Sequence, residues 1–209
     1  MASDVCSVLE QLRADEKTED LFENGLVFVG HSMGAKVALA TLSILPAELL
    51  DKVKGLVLAA PAPPTALNLP FEMKDQQLSA YQTQESVLWT VRNVLANPDT
   101  LSEQDMKLVV EDSLCGNHFA KSSWPTYGMG EDISIGLRKT LESLKGVGPL
   151  VSIIVGEFDV VEPEERVKAE VGQLLIETGL KVAIKTAKDV KHLIPLEDPS
   201  IIAQEIRRF

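Results

Sequence analysis

The 209-residue chain has few cysteines, no long apolar run and no excess of basic residues. Its two cysteines, Cys6 and Cys115, lie far apart and form neither a metal-binding nor a redox motif. Free thiols in a reducing compartment are the simpler interpretation, and a single disulfide is the alternative. No stretch reaches the roughly 18 apolar residues that a membrane span needs, and the first residues do not resemble a signal peptide. We therefore expect a cytoplasmic protein.

The balance of charge disfavours anionic partners. Asp and Glu total 31 against 20 Lys and Arg, so the formal net charge is -11. Such a surface repels the phosphate backbone of nucleic acids and anionic lipids. No glycine-rich phosphate loop follows a predicted strand, which argues against a nucleotide-binding domain. We expect neither a nucleic-acid partner nor a cofactor nor a metal.

The apolar pattern predicts an α/β fold. Short continuous apolar runs, typical of strands buried on both faces, occur at 26–29, 53–60, 150–155 and 182–185. Helical patterns separate them, at 1–12, 33–45, from Pro163 onwards and at 199–209. Alternation of this kind predicts one domain over 1–209, with a mostly parallel sheet of about four strands flanked by helices.

A long helical stretch interrupts this alternation after the second predicted strand. Residues 65–144 have helical patterns throughout, and Ser102 and Asp105 have the spacing of a capping box. The stretch predicts a helical cap inserted at approximately 62–147. Its larger apolar side chains would line a substrate pocket or fill the core of the cap: Phe71, Tyr81, Trp89, Phe119, Trp124 and Met129.

The segment Gly30-His31-Ser32-Met33-Gly34 fits the pattern G-x-S-x-G between a predicted strand and a predicted helix. A sharp turn there crowds the backbone, so the two glycines would avoid clashes and the small Ala35 would let the helix pack closely. The start of the helix also favours negative charge beside Ser32. The segment predicts a nucleophilic Ser32; a serine that merely makes a tight turn is the alternative.

Together with two further segments, this motif resembles the alpha/beta-hydrolase superfamily. Val155-Gly156-Glu157-Phe158-Asp159 resembles the turn that carries the catalytic acid of that family, and the segment 191–199 resembles its histidine loop. Ser32, Asp159 and His192 follow the family's order of nucleophile, acid and base. The resemblance covers the whole chain and implies a serine hydrolase that acts on a small ester or related acyl substrate.

The resemblance implies a role for each of these three side chains. The Ser32 hydroxyl needs a base to take its proton, and His192 is the expected base. Asp159 would hold the imidazole in the useful tautomer and stabilise the imidazolium. All three residues follow predicted strands, so they can meet at one edge of a parallel sheet. Of the other histidines, we expect His31 to point elsewhere and His118 to face solvent or substrate.

Two neighbouring carboxylates compete with Asp159 for the role of the acid. Glu157 and Glu162 are alternatives, or solvated loop residues; Asp159 is favoured because the resemblance places it three residues after Gly156. The backbone N–H of Met33 would form one half of the oxyanion hole.

The chain begins at the helix before the nucleophile strand, whereas family members have earlier strands and a loop that donates the other half of the oxyanion hole. We therefore expect an incomplete amino-terminal part, an unpaired strand at 26–29 that invites self-association, and weak or no activity.

Two alternatives to an ester hydrolase remain open. Carbon–carbon hydrolases and cofactor-free perhydrolases of the same superfamily keep the serine. A non-catalytic interaction module, which pairs through the open edge of its sheet, is the alternative from a different functional class.

Overall fold

A computed structural model describes residues 1–144 and 147–209. Four strands form one sheet in the order β1-β2-β3-β4, and all neighbours are parallel. Their bounds are Leu26–His31 for β1, Val53–Ala59 for β2, Leu150–Gly156 for β3 and Val182–Ala187 for β4. The predicted α/β fold class is confirmed. The first strand is longer than its apolar run, because Gly30 and His31 still pair with β2.

Helices connect and flank the strands. Before β1 lie α1 (Ala2–Ala14) and a 3₁₀ turn (Glu19–Phe22); between β1 and β2 lie α2 (Met33–Leu42) and α3 (Ala47–Leu50). Between β2 and β3 lie α4 (Phe71–Ser79), α5 (Gln84–Thr90), α6 (Glu103–Cys115), α7 (His118–Ser123) and α8 (Ser134–Ser143). After β3 come α9 (Glu164–Arg166) and α10 (Gln173–Glu177), and after β4 come α11 (Ile194–Glu197) and α12 (Pro199–Ile206). π-Helical turns follow α5 (Val91–Leu95), α7 (Trp124–Gly128) and α9 (Val167–Gly172).

Two local predictions can be compared with these bounds. The capping box is present, because the Ser102 hydroxyl accepts from the Asp105 N–H while the Asp105 carboxylate accepts from the Ser102 N–H. The helix predicted at 33–45 ends earlier, at Leu42. The chain tightens there into a turn in which Ser43 N–H donates to the Ala40 carbonyl, and Pro46 then caps α3.

The sheet is covered on both faces, as its strand pattern requires. Successive side chains of a strand point to opposite faces, so Leu56 and Leu58 pack into one core with α2 and α8, whereas Val57 and Ile154 pack into a second core with α11 and α12. All four side chains are fully buried. The apolar runs of the central strands are therefore explained by burial from two sides.

The segment between β2 and β3, called the insertion below, is built from two parts. Its last helix, α8, places Leu137 and Leu141 in the larger core of the sheet. The earlier part has a small cluster of its own, formed by Val87, Val91 and Ala96. The part of the insertion that stands apart from the sheet therefore precedes α8.

The strand β1 lies at the edge of the sheet. Its partner is β2, and no other strand within 1–144 or 147–209 pairs with it. Val29, near its end, is 48% exposed. Among the same residues no helix is long and apolar enough to cross a bilayer, and no three His, Cys, Asp or Glu side chains are grouped to hold a metal ion. Cys6 and Cys115 are free thiols.

The end of β3 touches the segment that follows β4, and Gly156 makes this contact possible. A Cβ atom added at Gly156 would lie 2.0 Å from the Lys191 carbonyl oxygen and 2.7 Å from that of Val190. We expect Gly156→Ala to lower the free energy of unfolding by about 1–3 kcal/mol or more, because rigid backbone would have to move. Urea unfolding measures this change.

Gly136→Ala is the matched control, because a Cβ atom at Gly136 in α8 would meet nothing within 4 Å. Alanine in a helix is favoured over glycine by about 0.5–1 kcal/mol, so this variant should be as stable as the wild type or more stable. Equal stability of the two variants would contradict the close contact.

Candidate active site

Ser32 occupies a strained turn between β1 and α2. Its φ is 51° and its ψ is -119°, in a region that residues with a side chain rarely adopt. Three main-chain hydrogen bonds hold the turn: Ser32 N–H donates to Ala59, and the Ser32 carbonyl accepts from Ala35 and Ala62. The strain is thus balanced by bonds to both β2 and α2.

The two glycines of the motif have different roles. A Cβ atom at Gly30 would lie 2.6 Å from the Ala35 Cα, so this position needs glycine for the close approach of strand and helix. A Cβ atom at Gly34 would meet nothing within 4 Å. The expectation that both glycines avoid clashes is therefore right for Gly30 and wrong for Gly34, which faces open space in the first turn of α2.

The structure brings together the three side chains that the resemblance singles out. Ser32 Oγ lies 2.9 Å from His192 Nε2, and His192 Nδ1 lies 2.8 Å from Asp159 Oδ2. His192 and Asp159 are 4% and 6% exposed, so water hardly competes for these bonds. An ionised carboxylate can only accept, so Nδ1 donates to Asp159 and Nε2 is left to accept from the serine hydroxyl.

The environment of Asp159 keeps it ionised. Burial raises the pKa of Asp159, but the hydrogen bond from His192, the charge of that ring when it is protonated, and the N–H groups of Val161 and Glu162 together outweigh burial, so the net pKa is lowered. Those two N–H groups donate to Oδ1 at 2.8 and 2.9 Å, while Oδ2 is bonded to His192. Both carboxylate oxygens are thus used, and the side chain has a single orientation.

The two competing carboxylates are engaged elsewhere. Glu157 accepts from Lys188 Nζ at 2.7 Å and from the Asp189 N–H at 3.1 Å. Glu162 is buried and forms an ion pair with Arg166 at 2.5 Å. Neither carboxylate is bonded to His192.

The other histidines do not contact Ser32 through their rings. As expected, His31 points away from the Ser32 hydroxyl: its Nε2 lies 2.8 Å from the main-chain oxygen of His192, and the two rings are 5.0 Å apart. Burial, and then repulsion between the two rings when His192 is protonated, lower the pKa of His31 to about 4, so His31 is neutral and donates to this carbonyl. His31 therefore supports the backbone of His192. His118 is exposed at the start of α7.

Met33, the predicted oxyanion-hole residue, is the first residue of α2. The N–H groups at the start of a helix have no acceptor within the helix and carry a partial positive charge. The Met33 N–H therefore lies next to Ser32 and is able to donate to an oxygen atom there.

The insertion holds a cavity of about 580 Å³. It is lined by residues of α4, of α7 and of the turn between α4 and α5: Asp75, Gln77, Leu78, Tyr81, Gln82, His118, Lys121 and Ser122. Of the apolar candidates for a pocket, Tyr81 lies there, whereas Phe71, Trp89 and Phe119 are exposed and Met129 is buried. Ser32 is not among the lining residues.

Lys36 is a buried residue of the site that the sequence analysis missed. It lies in α2 one turn after Ser32 and is 4% exposed. Its Nζ donates to the main-chain oxygens of Thr65 and Glu131 at 3.0 and 2.6 Å and lies 5.9 Å from the centre of the Trp124 ring. Burial lowers the pKa of Lys36. The sequence does contain a signal for this residue, because Lys36 is a charged side chain within the largely apolar helix 33–42.

Comparisons with known proteins place this chain in a family. A family model described as "Alpha/beta hydrolase family" matches residues 2–205. Among curated proteins, none matches the chain. Solved structures with a similar fold include a bromoperoxidase from Bacillus anthracis, with a TM-score of 0.67 and 20% identity over 96% of this chain and 70% of that one.

Two further structures have the same fold. A thermophilic esterase from Thermogutta terrifontis has a TM-score of 0.64 and 20% identity, over 99% of this chain and 69% of that one. A meta-cleavage product hydrolase from Pseudomonas fluorescens has a TM-score of 0.62 and 15% identity, over 90% of this chain and 65% of that one. The chain thus spans 65 to 70% of the length of these three structures. By the match of the family model over nearly its whole length, the chain belongs to the alpha/beta hydrolase family.

Proposed function

We propose that the chain is a serine hydrolase for small esters or related acyl substrates, with Ser32 as the nucleophile. The observation that carries this proposal is the continuous line of hydrogen bonds from Ser32 Oγ through the His192 ring to the buried Asp159. A neutral imidazole whose Nε2 faces the hydroxyl is able to take its proton, and a neighbouring carboxylate stabilises the resulting cation.

In the proposed reaction, Ser32 Oγ attacks the carbonyl carbon of the ester while its proton moves to His192 Nε2. The tetrahedral intermediate then collapses: the bond to the leaving group breaks, and His192 returns the proton to the departing oxygen. Water, deprotonated by His192, next attacks the acyl-enzyme, and the acid is released as Ser32 regains its proton. Asp159 remains ionised throughout.

The negative charge on the intermediate needs hydrogen-bond donors. The Met33 N–H at the start of α2 is the donor that we assign.

Other activities of the superfamily would use the same three side chains. The structural neighbours include a meta-cleavage product hydrolase and a bromoperoxidase, which keeps a carbon–carbon hydrolase and a perhydrolase as alternatives. The open edge of β1 and the half-exposed Val29 favour a second function, self-association through that strand. We place ester hydrolysis first because it needs only an acyl carbonyl and a leaving group at Ser32.

Steady-state and burst kinetics with a panel of p-nitrophenyl esters test the proposal. We expect Ser32→Ala to abolish the burst and to lower kcat on the order of 1,000-fold or to the uncatalysed background, because the acyl-enzyme has no other site. Ser7→Ala, an exposed serine on α1, is the matched control and should keep wild-type rates.

Two results would contradict the proposal. Hydrolysis that survives in Ser32→Ala would place the reaction elsewhere. No turnover of any ester by the wild type, together with a stable dimer, would favour the non-catalytic alternative.

A separate prediction concerns the buried Glu162 beside this site. Burial raises the pKa of Glu162 to about 7 from its ordinary value of 4.5, although Arg166 favours the ionised form. The folded state therefore binds this proton more tightly than the unfolded chain does. Protonated Glu162 therefore contributes fully to the free energy of unfolding below about pH 4.5. This contribution, roughly 3 kcal/mol, is lost as the pH rises through about 7.

In the variant Glu162→Gln the side chain at this position does not ionise, so the free energy of unfolding should not fall in this way as the pH rises. We expect the stability of the variant relative to the wild type to improve by roughly 3 kcal/mol between pH 4.5 and pH 8, as measured by urea unfolding at several pH values. Glu165→Gln, an exposed neighbour, is the control. Parallel curves for wild type and Glu162→Gln would show that Glu162 does not titrate in this way.

A further inference from the structure

The backbone of His192 is bonded to the insertion. The Leu95 carbonyl, at the end of the π-helical turn Val91–Leu95, accepts from both the His192 and the Leu193 N–H groups at 2.9 Å. The last carbonyls of a helix have no partner within it, so this one is available to an outside donor. The side chain of Leu193 also packs against the small cluster of the insertion.

Glu197 adds a second connection at the same place. Its Oε2 accepts from the Asn97 N–H at 2.8 Å and from the Thr100 hydroxyl at 3.1 Å, both in the turn of the insertion that follows Leu95. The same carboxylate accepts from the Lys191 N–H, at 3.2 Å to Oε1 and 3.3 Å to Oε2. One side chain therefore joins the residue before His192 to the insertion. Hydrogen bonds to a charged acceptor are the stronger kind.

The segment 188–193, which contains His192, has a further bond to the insertion and two bonds on the side of the sheet. The Asn97 side chain donates to the Asp189 carbonyl at 3.1 Å. On the side of the sheet, His31 donates to the His192 carbonyl, and the Phe158 N–H donates to the Val190 carbonyl at 2.9 Å. The segment 188–193 is thus held between the sheet and the insertion. Among the described residues, the His192 N–H has its acceptor, the Leu95 carbonyl, in the insertion.

The insertion is also bonded to the helix that follows Ser32. Lys36 connects α2 to Thr65 and Glu131, one near each end of the part that precedes α8. The insertion is therefore hydrogen-bonded both to the segment that carries His192 and to the helix that follows Ser32. The 2.9 Å distance between Ser32 Oγ and His192 Nε2 thus depends on where the insertion lies.

We propose that Glu197 is a positioning residue for His192, which makes the alignment of the base with Ser32 depend on the placement of the insertion. The assignment rests on the proposed function of Ser32 and His192. Glu197 acts through the backbone of Lys191 and through Asn97 and Thr100, not through contact with substrate. A displacement of about 1 Å in a reacting group can cost on the order of 100-fold in rate.

Labelling of Ser32 by a fluorophosphonate probe tests this assignment in a single turnover. Varying the probe concentration separates the maximal labelling rate from the concentration that gives half of it. We expect Glu197→Ala to lower the maximal rate roughly 10- to 100-fold and to leave the half-saturating concentration nearly unchanged, because Glu197 does not contact the probe.

A conservative variant and a control make the test specific. In Glu197→Gln the amide oxygen still accepts from Asn97 and Thr100, so most of the rate should return. Glu177→Ala removes a half-exposed carboxylate in α10 that binds Arg138 and Gln173, and it should label as the wild type does. Equal losses in Glu197→Ala and Glu197→Gln would overturn the assignment.

The remaining outcomes distinguish this assignment from the proposed function. Ser32-dependent labelling of the wild type with an unchanged maximal rate in Glu197→Ala overturns the assignment alone. Labelling that Ser32→Ala does not abolish overturns the proposed function and the assignment with it. If Glu197→Ala does not fold, the double variant Asn97→Ala/Thr100→Val removes two side-chain connections from an exposed turn. An unchanged maximal rate in that variant overturns the assignment.

Discussion

The bond between His192 Nδ1 and Asp159 Oδ2 is the interaction on which the site depends. It provides the buried carboxylate with a partner, and it leaves Nε2 free to face Ser32. The sheet prepares this bond, because β3 and β4 pair in register up to Gly156 and Ala187. The segments that carry Asp159 and His192 therefore leave the sheet side by side.

The strand order also explains why the segment that carries His192 needs support from outside the sheet. Ser32 follows β1, whereas His192 follows β4, at the other edge of the order β1-β2-β3-β4. Strands lie about 4.8 Å apart, so the two strands are separated by roughly 14 Å. The segment after β4 must cross much of that distance to reach Ser32. The hydrogen bonds from His31 and to Leu95 hold it in the crossing position.

The features that sequence patterns could predict are those encoded locally. Burial of the central strands on both faces produces continuous apolar runs, and the tight turn at Ser32 needs Gly30. Contacts between distant segments leave no such local pattern: those among Ser32, Asp159 and His192 were predicted through the family resemblance, whereas the contact between Glu197 and Asn97, 100 residues apart, was not. The orientation of His31 likewise depends on where the segment after β4 lies, which the tertiary structure alone determines.

Nuclear magnetic resonance of the His192 ring tests the central arrangement most directly, whatever the rate of turnover. With ¹⁵N-labelled protein, we expect a slowly exchanging proton on Nδ1 and an unprotonated Nε2, and we expect Asp159→Asn to remove this pattern while His31 remains neutral. An Nδ1 proton that exchanges freely with solvent, or a spectrum that Asp159→Asn leaves unchanged, would contradict the account.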